Sequence, residues 1–175
     1  MKHTPRLTLV MLSAALLIAG CGNGPSSRTS ASGNGGQLVG AWRSKIVFRS
    51  GPLGEMKDLE FLYAYNAGGT MTESSNYDEA ANSSPPAYGV WKQIDPRTFE
   101  TKYLFHTTMA PGPSDGAPNG RDWWPSGHGI LTETITLSDD GQTYASTINL
   151  VTFDRAGKAI AGGGAGTGAG TRIVF

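Results

Sequence analysis

Residues 39–48 read Val-Gly-Ala-Trp-Arg-Ser-Lys-Ile-Val-Phe. On an extended chain successive side chains point to opposite sides. Trp42, Ser44, Ile46 and Phe48 then share one face, and Arg43, Lys45, Val47 and Arg49 the other. A helix would scatter these residues around its axis. The period of two therefore predicts a strand with one side buried and one side in water. The pattern recurs downstream. Leu59, Phe61, Tyr63 and Tyr65 alternate in one stretch, and Phe99, Thr101, Tyr103 and Phe105 in another. Further strands are expected over residues 70–74, 88–94, 129–138 and 143–153, with a last one near the C-terminus. The connections Asn66-Ala67-Gly68-Gly69, Asp95-Pro96-Arg97, Asp139-Asp140-Gly141 and Asp154-Arg155-Ala156-Gly157 carry turn residues. No stretch has a convincing helical period. A meander of about eight strands closes most naturally on itself, because closure removes exposed sheet edges. The expected fold class is all-β, a single antiparallel up-and-down β-barrel of about eight strands.

Composition narrows the function. The 14 Lys and Arg residues are balanced by 14 Asp and Glu. No basic excess exists to displace counterions from a phosphate backbone, so nucleic acid is not an expected partner. The 175 residues suffice for one domain with a modest core. The 25 glycines and 10 prolines suit strands and turns better than helices.

The N-terminus has its own logic. Lys2 and Arg6 precede an uncharged run over residues 7–20, which is shorter than the ~20 residues that span a bilayer as a helix. It fits the core of a signal peptide. The run ends in Ile18-Ala19-Gly20-Cys21, and Cys21 is the single cysteine. One cysteine forms neither an internal disulfide nor a thiolate zinc site. This ending resembles the lipobox of bacterial lipoproteins. The resemblance implies cleavage before Cys21, a lipid on its sulfur and acylation of the new amino terminus. Two or more acyl chains anchor a protein stably where one does not. Gly22 follows where an aspartate would resemble an inner-membrane retention signal. The implied address is the cell envelope, on the outer membrane of a Gram-negative cell, facing the periplasm or the exterior. Residues 22–37 are rich in Gly, Ser and Asn. They read as a flexible tether with a reach of roughly 20–25 Å. The expected organisation is a signal peptide over 1–20, a lipidated cysteine and tether over 21–37, and a barrel over 38–175.

A second resemblance concerns the barrel. Gly40-Ala41-Trp42 on the first strand, with Arg172 on the last, is similar to the lipocalin and wider calycin pattern. In that pattern an arginine packs over the indole and links the first and last strands, a contact worth ~0.5–2 kcal/mol. Gly89-Val90-Trp91, Gly127-His128-Gly129 and Gly170-Thr171-Arg172-Ile173 are also similar to small secreted bacterial proteins described as lipocalin-like. The resemblance implies barrel closure by Gly40, Trp42 and Arg172, and a small, mostly apolar ligand inside. The walls would come from Phe61, Tyr63, Tyr103, Phe105, Trp123 and Trp124. Two other functions stand beside this one. One is an envelope structural or interaction protein whose barrel is filled by its own side chains. The other is a cyclase-like barrel enzyme.

Several segments carry two readings each. In residues 161–170 the spacing of Gly164, Gly166 and Ala169 matches a dinucleotide fingerprint, but a following helix is required and the given sequence has no room for one. The alternating Gly164, Gly166, Gly168 and Gly170 fit a strand with one bare face. That face either lets neighbouring rings lie on it or leaves room for a ligand. Residues 110–127 read as a long Pro- and Gly-rich loop carrying Arg121, Asp122, Trp123 and Trp124, either a lid or a ligand mouth. Tyr77, Asp78 and Glu79 on a second loop could flank the same end. His106 and His128 read as strand-end polar residues, and no metal or cofactor is expected. No Gly-x-Ser-x-Gly elbow exists, and no catalytic residue is assigned. Glu133 either points inward, where it could serve as an acid or base, or lies on the solvated face. The solvated reading is the expected one, with the threonine-bearing face of that strand turned in.

The lipid assignment predicts that Cys21→Ser abolishes incorporation of labelled fatty acid and leaves the uncleaved precursor mass. Continued labelling of the variant would refute it.

Overall fold

The computed structural model describes residues 37–175 apart from 52, 80, 81, 84, 85 and 110–123. The signal peptide, Cys21, almost all of the tether, and Arg121, Asp122 and Trp123 lie outside the described residues.

Ten strands follow in order: β1 (Gly40–Phe48), β2 (Leu59–Tyr65), β3 (Thr70–Ser75), β4 (Asp78–Glu79), β5 (Asn82–Ser83), β6 (Ala87–Asp95), β7 (Thr98–Met109), β8 (Trp124–Leu137), β9 (Thr143–Asp154) and β10 (Ala159–Arg172). Eight of them form a closed antiparallel barrel in the order β1-β10-β9-β8-β7-β6-β3-β2. Each barrel strand pairs with its neighbours in sequence, so the architecture is the up-and-down barrel that the alternation predicts. The two-residue strands β4 and β5 pair only with each other, as a small hairpin between β3 and β6. The alternation had not marked it. Residues 124–126, read above as loop, belong to β8: Trp124 pairs with Met109 and Pro125 with Thr108. A register shift between Thr107 and Thr108 lets the ladder continue past Gly127.

Burial follows the period of two. On β1 Trp42, Ser44, Ile46 and Phe48 point in; on β2 Leu59, Phe61, Tyr63 and Tyr65 do. The outer face carries Arg43, Lys45, Glu60, Lys92, Glu100 and Lys102. Ion pairs Arg43–Glu60 (2.7 Å) and Lys92–Glu100 (2.6 Å) bridge adjacent strands there.

Closure depends on β10. Its inward positions are Gly164, Gly166, Gly168 and Gly170, and all four are buried. Each lies beneath a side chain of an adjoining strand. A Cβ on Gly170 would sit 2.1 Å from the ring of Tyr144, its partner on β9. One on Gly168 would meet the Ser146 hydroxyl at 2.4 Å and Ile46 at 3.1 Å. One on Gly166 would crowd the ring of Phe48, its partner on β1. The same device recurs where Gly129 faces Phe105 and Gly89 faces Tyr103. An eight-stranded barrel has an interior just wide enough for side chains. Glycine on one strand gives that width to a ring on the next. Of the two readings of the bare face, neighbouring rings occupy it.

One end of the barrel is sealed. The Trp42 indole N–H donates to the Leu38 carbonyl at 2.8 Å, and the Arg172 guanidinium lies 4.2 Å above the indole centroid. Arg172 also donates to the carbonyls of Val39 (2.8 Å), Gly141 (3.1 Å) and Gln37. Gly40 makes room for it: φ is +132°, and a Cβ there would stand 2.8 Å from the guanidinium. Tyr144 packs against Trp42 at 5.2 Å, and Tyr65, Trp91 and Phe99 continue the ring cluster.

Gly170→Ala is expected to destabilise the barrel by about 1–3 kcal/mol through overpacking. The cost should largely vanish in a Tyr144→Ala background, measured as a double-mutant cycle in denaturant. Additive costs would separate the glycine from the ring.

Candidate functional site

Among the described residues the opposite end is open. A cavity of about 240 Å³ lies there, lined by Leu53, Leu59, Phe61, Phe105, Leu131 and Leu150, with Glu73, Ser75, Tyr77, Thr107, Thr108, Ser126 and Thr152 adding polar atoms. The lining comes from the end of β3, the start of β2, the end of β7 and the facing stretches of β8 and β9. These strands run antiparallel, so such positions meet at one mouth. An apolar cavity of about 150 Å³ accepts benzene, so this one has room for a slightly larger molecule. Ser126 donates to the Thr107 hydroxyl at 2.8 Å near the rim.

Of the expected wall residues, Phe61 and Phe105 line the cavity. Tyr63 and Tyr103 are fully buried below it, with their hydroxyls 2.9 Å apart and hydrogen-bonded. Trp124 is 38% exposed on β8 and is not a lining residue. It pairs with Met109 beyond the register shift and leaves the inward row. Trp123 lies outside the described residues. Tyr77, from the second loop, does reach the cavity.

The barrel interior is more polar than its aromatic alternation suggests: Ser44, Glu73, Thr101, Glu133 and Ser146 are buried in it. Glu133 is 1% exposed and points inward on β8, between Leu131 and Ile135. The expectation of a solvated Glu133 is therefore corrected. The threonine face, Thr132, Thr134 and Thr136, is the outer one, since threonine tolerates water and the leucine face does not. Glu73 on β3 is 7% exposed, pairs across the ladder with Tyr63 and stands in the cavity wall. Its signal was present in the alternation of Met71, Glu73 and Ser75, which puts all three on one face.

Around these two carboxyls lies a belt of hydroxyls from Ser44, Thr101, Ser146, Tyr65 and Tyr144. All five, with Glu73 Oε1 and both oxygens of Glu133, are buried without a partner in good hydrogen-bond geometry, although the Ser146 and Tyr63 hydroxyls lie close enough to Glu133, and Ser44 to Tyr144, to act on their ionisation. Such groups are rare and costly. Among the described residues, no basic side chain is buried with them. Burial, followed by the charge of Glu133, pushes the Glu73 pKa from 4.5 to about 8. Burial pushes Glu133 up to about 7, against a smaller lowering by the nearby Ser146 and Tyr63 hydroxyls. Burial also raises Tyr63, Tyr65, Tyr103 and Tyr144 well above the ordinary tyrosine value. These phenols stay protonated at any physiological pH.

His106 and His128, distant in sequence, pair directly across β7 and β8. His128 stacks on Phe153 at 4.7 Å. Among the described residues no third ligand joins them to form a metal-binding group.

No protein-family model matches the chain, and no curated protein matches it. The fold and the interior chemistry are therefore what bear on function.

Both carboxyls keep their proton in the fold at pH values where the unfolded chain has lost it. Folding then takes up protons between about pH 4.5 and 8, so stability falls as pH rises through that window. Each unit corresponds to about 1.4 kcal/mol, so the loss over the window is several kcal/mol. The Tm should drop by several degrees from pH 5 to pH 8, and Glu133→Gln and Glu73→Gln should each flatten the slope. A wild-type Tm independent of pH over this range would contradict the assignment.

Proposed function

We propose that the barrel binds a small, mostly apolar ligand carrying one polar group, and that acylated Cys21 holds it on a membrane of the bacterial envelope. The observation that carries the binding reading is the open-ended cavity with unpartnered Glu73 in its wall. Ligand sites are typically apolar pockets with a few well-placed polar groups. Phe61 and Phe105 would contact the apolar body, while Tyr63 and Tyr103 brace the floor. The absence of an aspartate after Cys21 supports an outer-membrane address, where a tether over residues 22–37 would carry the barrel away from the bilayer surface.

A second reading has its own observation. The sealed half of the barrel is packed with rings, as in a filled structural barrel. On the outer surface Tyr88, Leu104, Ile130 and Val151 pair in one row across β6, β7, β8 and β9. Tyr88 is 67% exposed. This reading makes the outer face the working surface. An enzymatic reading through Glu133 has less support, since Glu133 lies outside the cavity lining.

Native mass spectrometry of the full chain, released from mild detergent micelles, separates the first two. A reproducible added mass, lost in Ser75→Trp, which fills the cavity, is the expected result. A clean mass for the processed, acylated chain, unchanged after incubation with envelope lipid extract, would favour the filled barrel.

A further inference from the structure

The cavity wall specifies more than size. Glu73 is nine-tenths buried, its Oε1 has no partner, and it stands in the wall of the cavity. The buried groups facing it from the surrounding strands are Tyr63 and Tyr65 on β2, Tyr103 on β7 and Glu133 on β8, and Tyr77 shares the cavity wall with it. Its other ladder neighbour, Ala87 on β6, has no titratable group. Every one of these facing groups is neutral or acidic.

Among the described residues no basic side chain is buried beside Glu73. Arg43, Lys92 and Arg97 pair with Glu60, Glu100 and Asp139 on the outer surface. Arg172 spends its donors on main-chain carbonyls at the sealed end. A buried carboxyl normally has a counter-charge or a full set of donors. This interior provides neither, and a ligand entering at the mouth meets Glu73 in the wall.

We propose that the ligand is a small apolar amine, its ammonium group held by the Glu73 carboxylate and its hydrocarbon body by Phe61, Phe105, Leu131 and Leu150. This inference rests on the binding reading above and names the ligand class. Binding is an exchange. The ammonium enters with its charge, the Glu73 carboxyl gives up its proton to solvent, and an ion pair replaces the neutral acid. Glu133 behind it adds negative potential and favours the cation further. A carboxylic acid ligand would bring a third acidic group beside two others. An alcohol would gain one neutral hydrogen bond.

The exchange sets the pH dependence. In the empty barrel Glu73 is protonated below about pH 8, so amine binding there must release its proton. Affinity for the amine rises with pH through this range and levels off once Glu73 is ionised. The facing tyrosines do not titrate there, and ionisation of Glu133 at lower pH acts in the same direction.

The test compares hexylamine, 1-hexanol and hexanoate. Dissociation constants come from the ligand-dependent Tm of the full chain in mild detergent at pH 6, 7 and 8.5. Glu73→Gln is measured alongside, which cancels partitioning into micelles. At pH 8.5 the amine should bind on the order of ten- to a hundredfold more tightly than the alcohol, the range of a charge-assisted hydrogen bond. The ratio should shrink at pH 6 and collapse toward one in Glu73→Gln, with alcohol binding retained. Hexanol or hexanoate binding as tightly as the amine would overturn the amine assignment and leave the binding barrel intact. If none of the three binds, the binding reading falls with it. Should Glu73→Gln fail to fold, the wild-type comparison decides: amine affinity must rise with pH while alcohol affinity stays flat, and parallel profiles overturn the proposal.

Discussion

The ladder between β1 and β10 is the contact on which the rest of the molecule depends. It pairs Trp42 with Arg172 at one end and Phe48 with Gly166 at the other. Without it the sheet has two edges and no inside. The ladder brings a strand of bulky inward residues against one whose inward positions are all glycine. This asymmetry is a volume requirement. Rings of Tyr144 and Phe48 need the space that a Cβ on β10 would take. The same exchange between strands recurs at Gly129 and Gly89. Six glycine–side-chain contacts, at Gly89, Gly129, Gly164, Gly166, Gly168 and Gly170, therefore define how wide the interior is.

That interior is divided along its axis. At the sealed end Trp42, Tyr65, Trp91, Phe99 and Tyr144 fill the cross-section, and Arg172 ties the indole to the main chain. At the open end the rings thin out to Phe61 and Phe105. Between the two lies the belt of carboxyls and hydroxyls. A core of leucine and phenylalanine would satisfy the same geometry at lower cost, since buried unpartnered carboxyls weaken a fold. Sites that break local rules without a structural return are where function concentrates. Here the break reaches the cavity wall at Glu73.

Most of the barrel was legible in the sequence because its aromatic residues alternate. Leu59, Phe61, Tyr63 and Tyr65 leave no doubt about which side of β2 is buried, and the turn residues mark where the chain reverses. Gly40, Trp42 and Arg172 could be named from their pattern, though the geometry shows why Gly40 is needed: its positive φ and its missing Cβ both serve the guanidinium. Other features carry a weaker signal. On β8 the stretch Ile130 to Leu137 offers an apolar residue on each face, so the side taken by Glu133 is fixed by register with β7 and β9 rather than by its own pattern. Glu73 sits on a short strand with few apolar neighbours. Whether the glycine face of β10 held a ligand or rings depended on partners more than a dozen residues away. The cavity belongs to no one segment. It forms where the ends of several strands stop short of filling the mouth, and only closure shows it.

The closing ladder also orders events in time. It joins residues 42 and 172, which are far apart in sequence. Contacts between such distant positions carry a large loop-closure cost and slow folding. The strand that completes the barrel is made after the other seven barrel strands, and its glycines give it little strand preference of its own. Until it docks, the inner faces of β1 and β9 lie bare along two open edges. A chain halted before residue 159 would hold every aromatic side chain of the interior and no means of covering them. The assembly is thus all-or-nothing, committed only when the final glycine strand slides between its two neighbours.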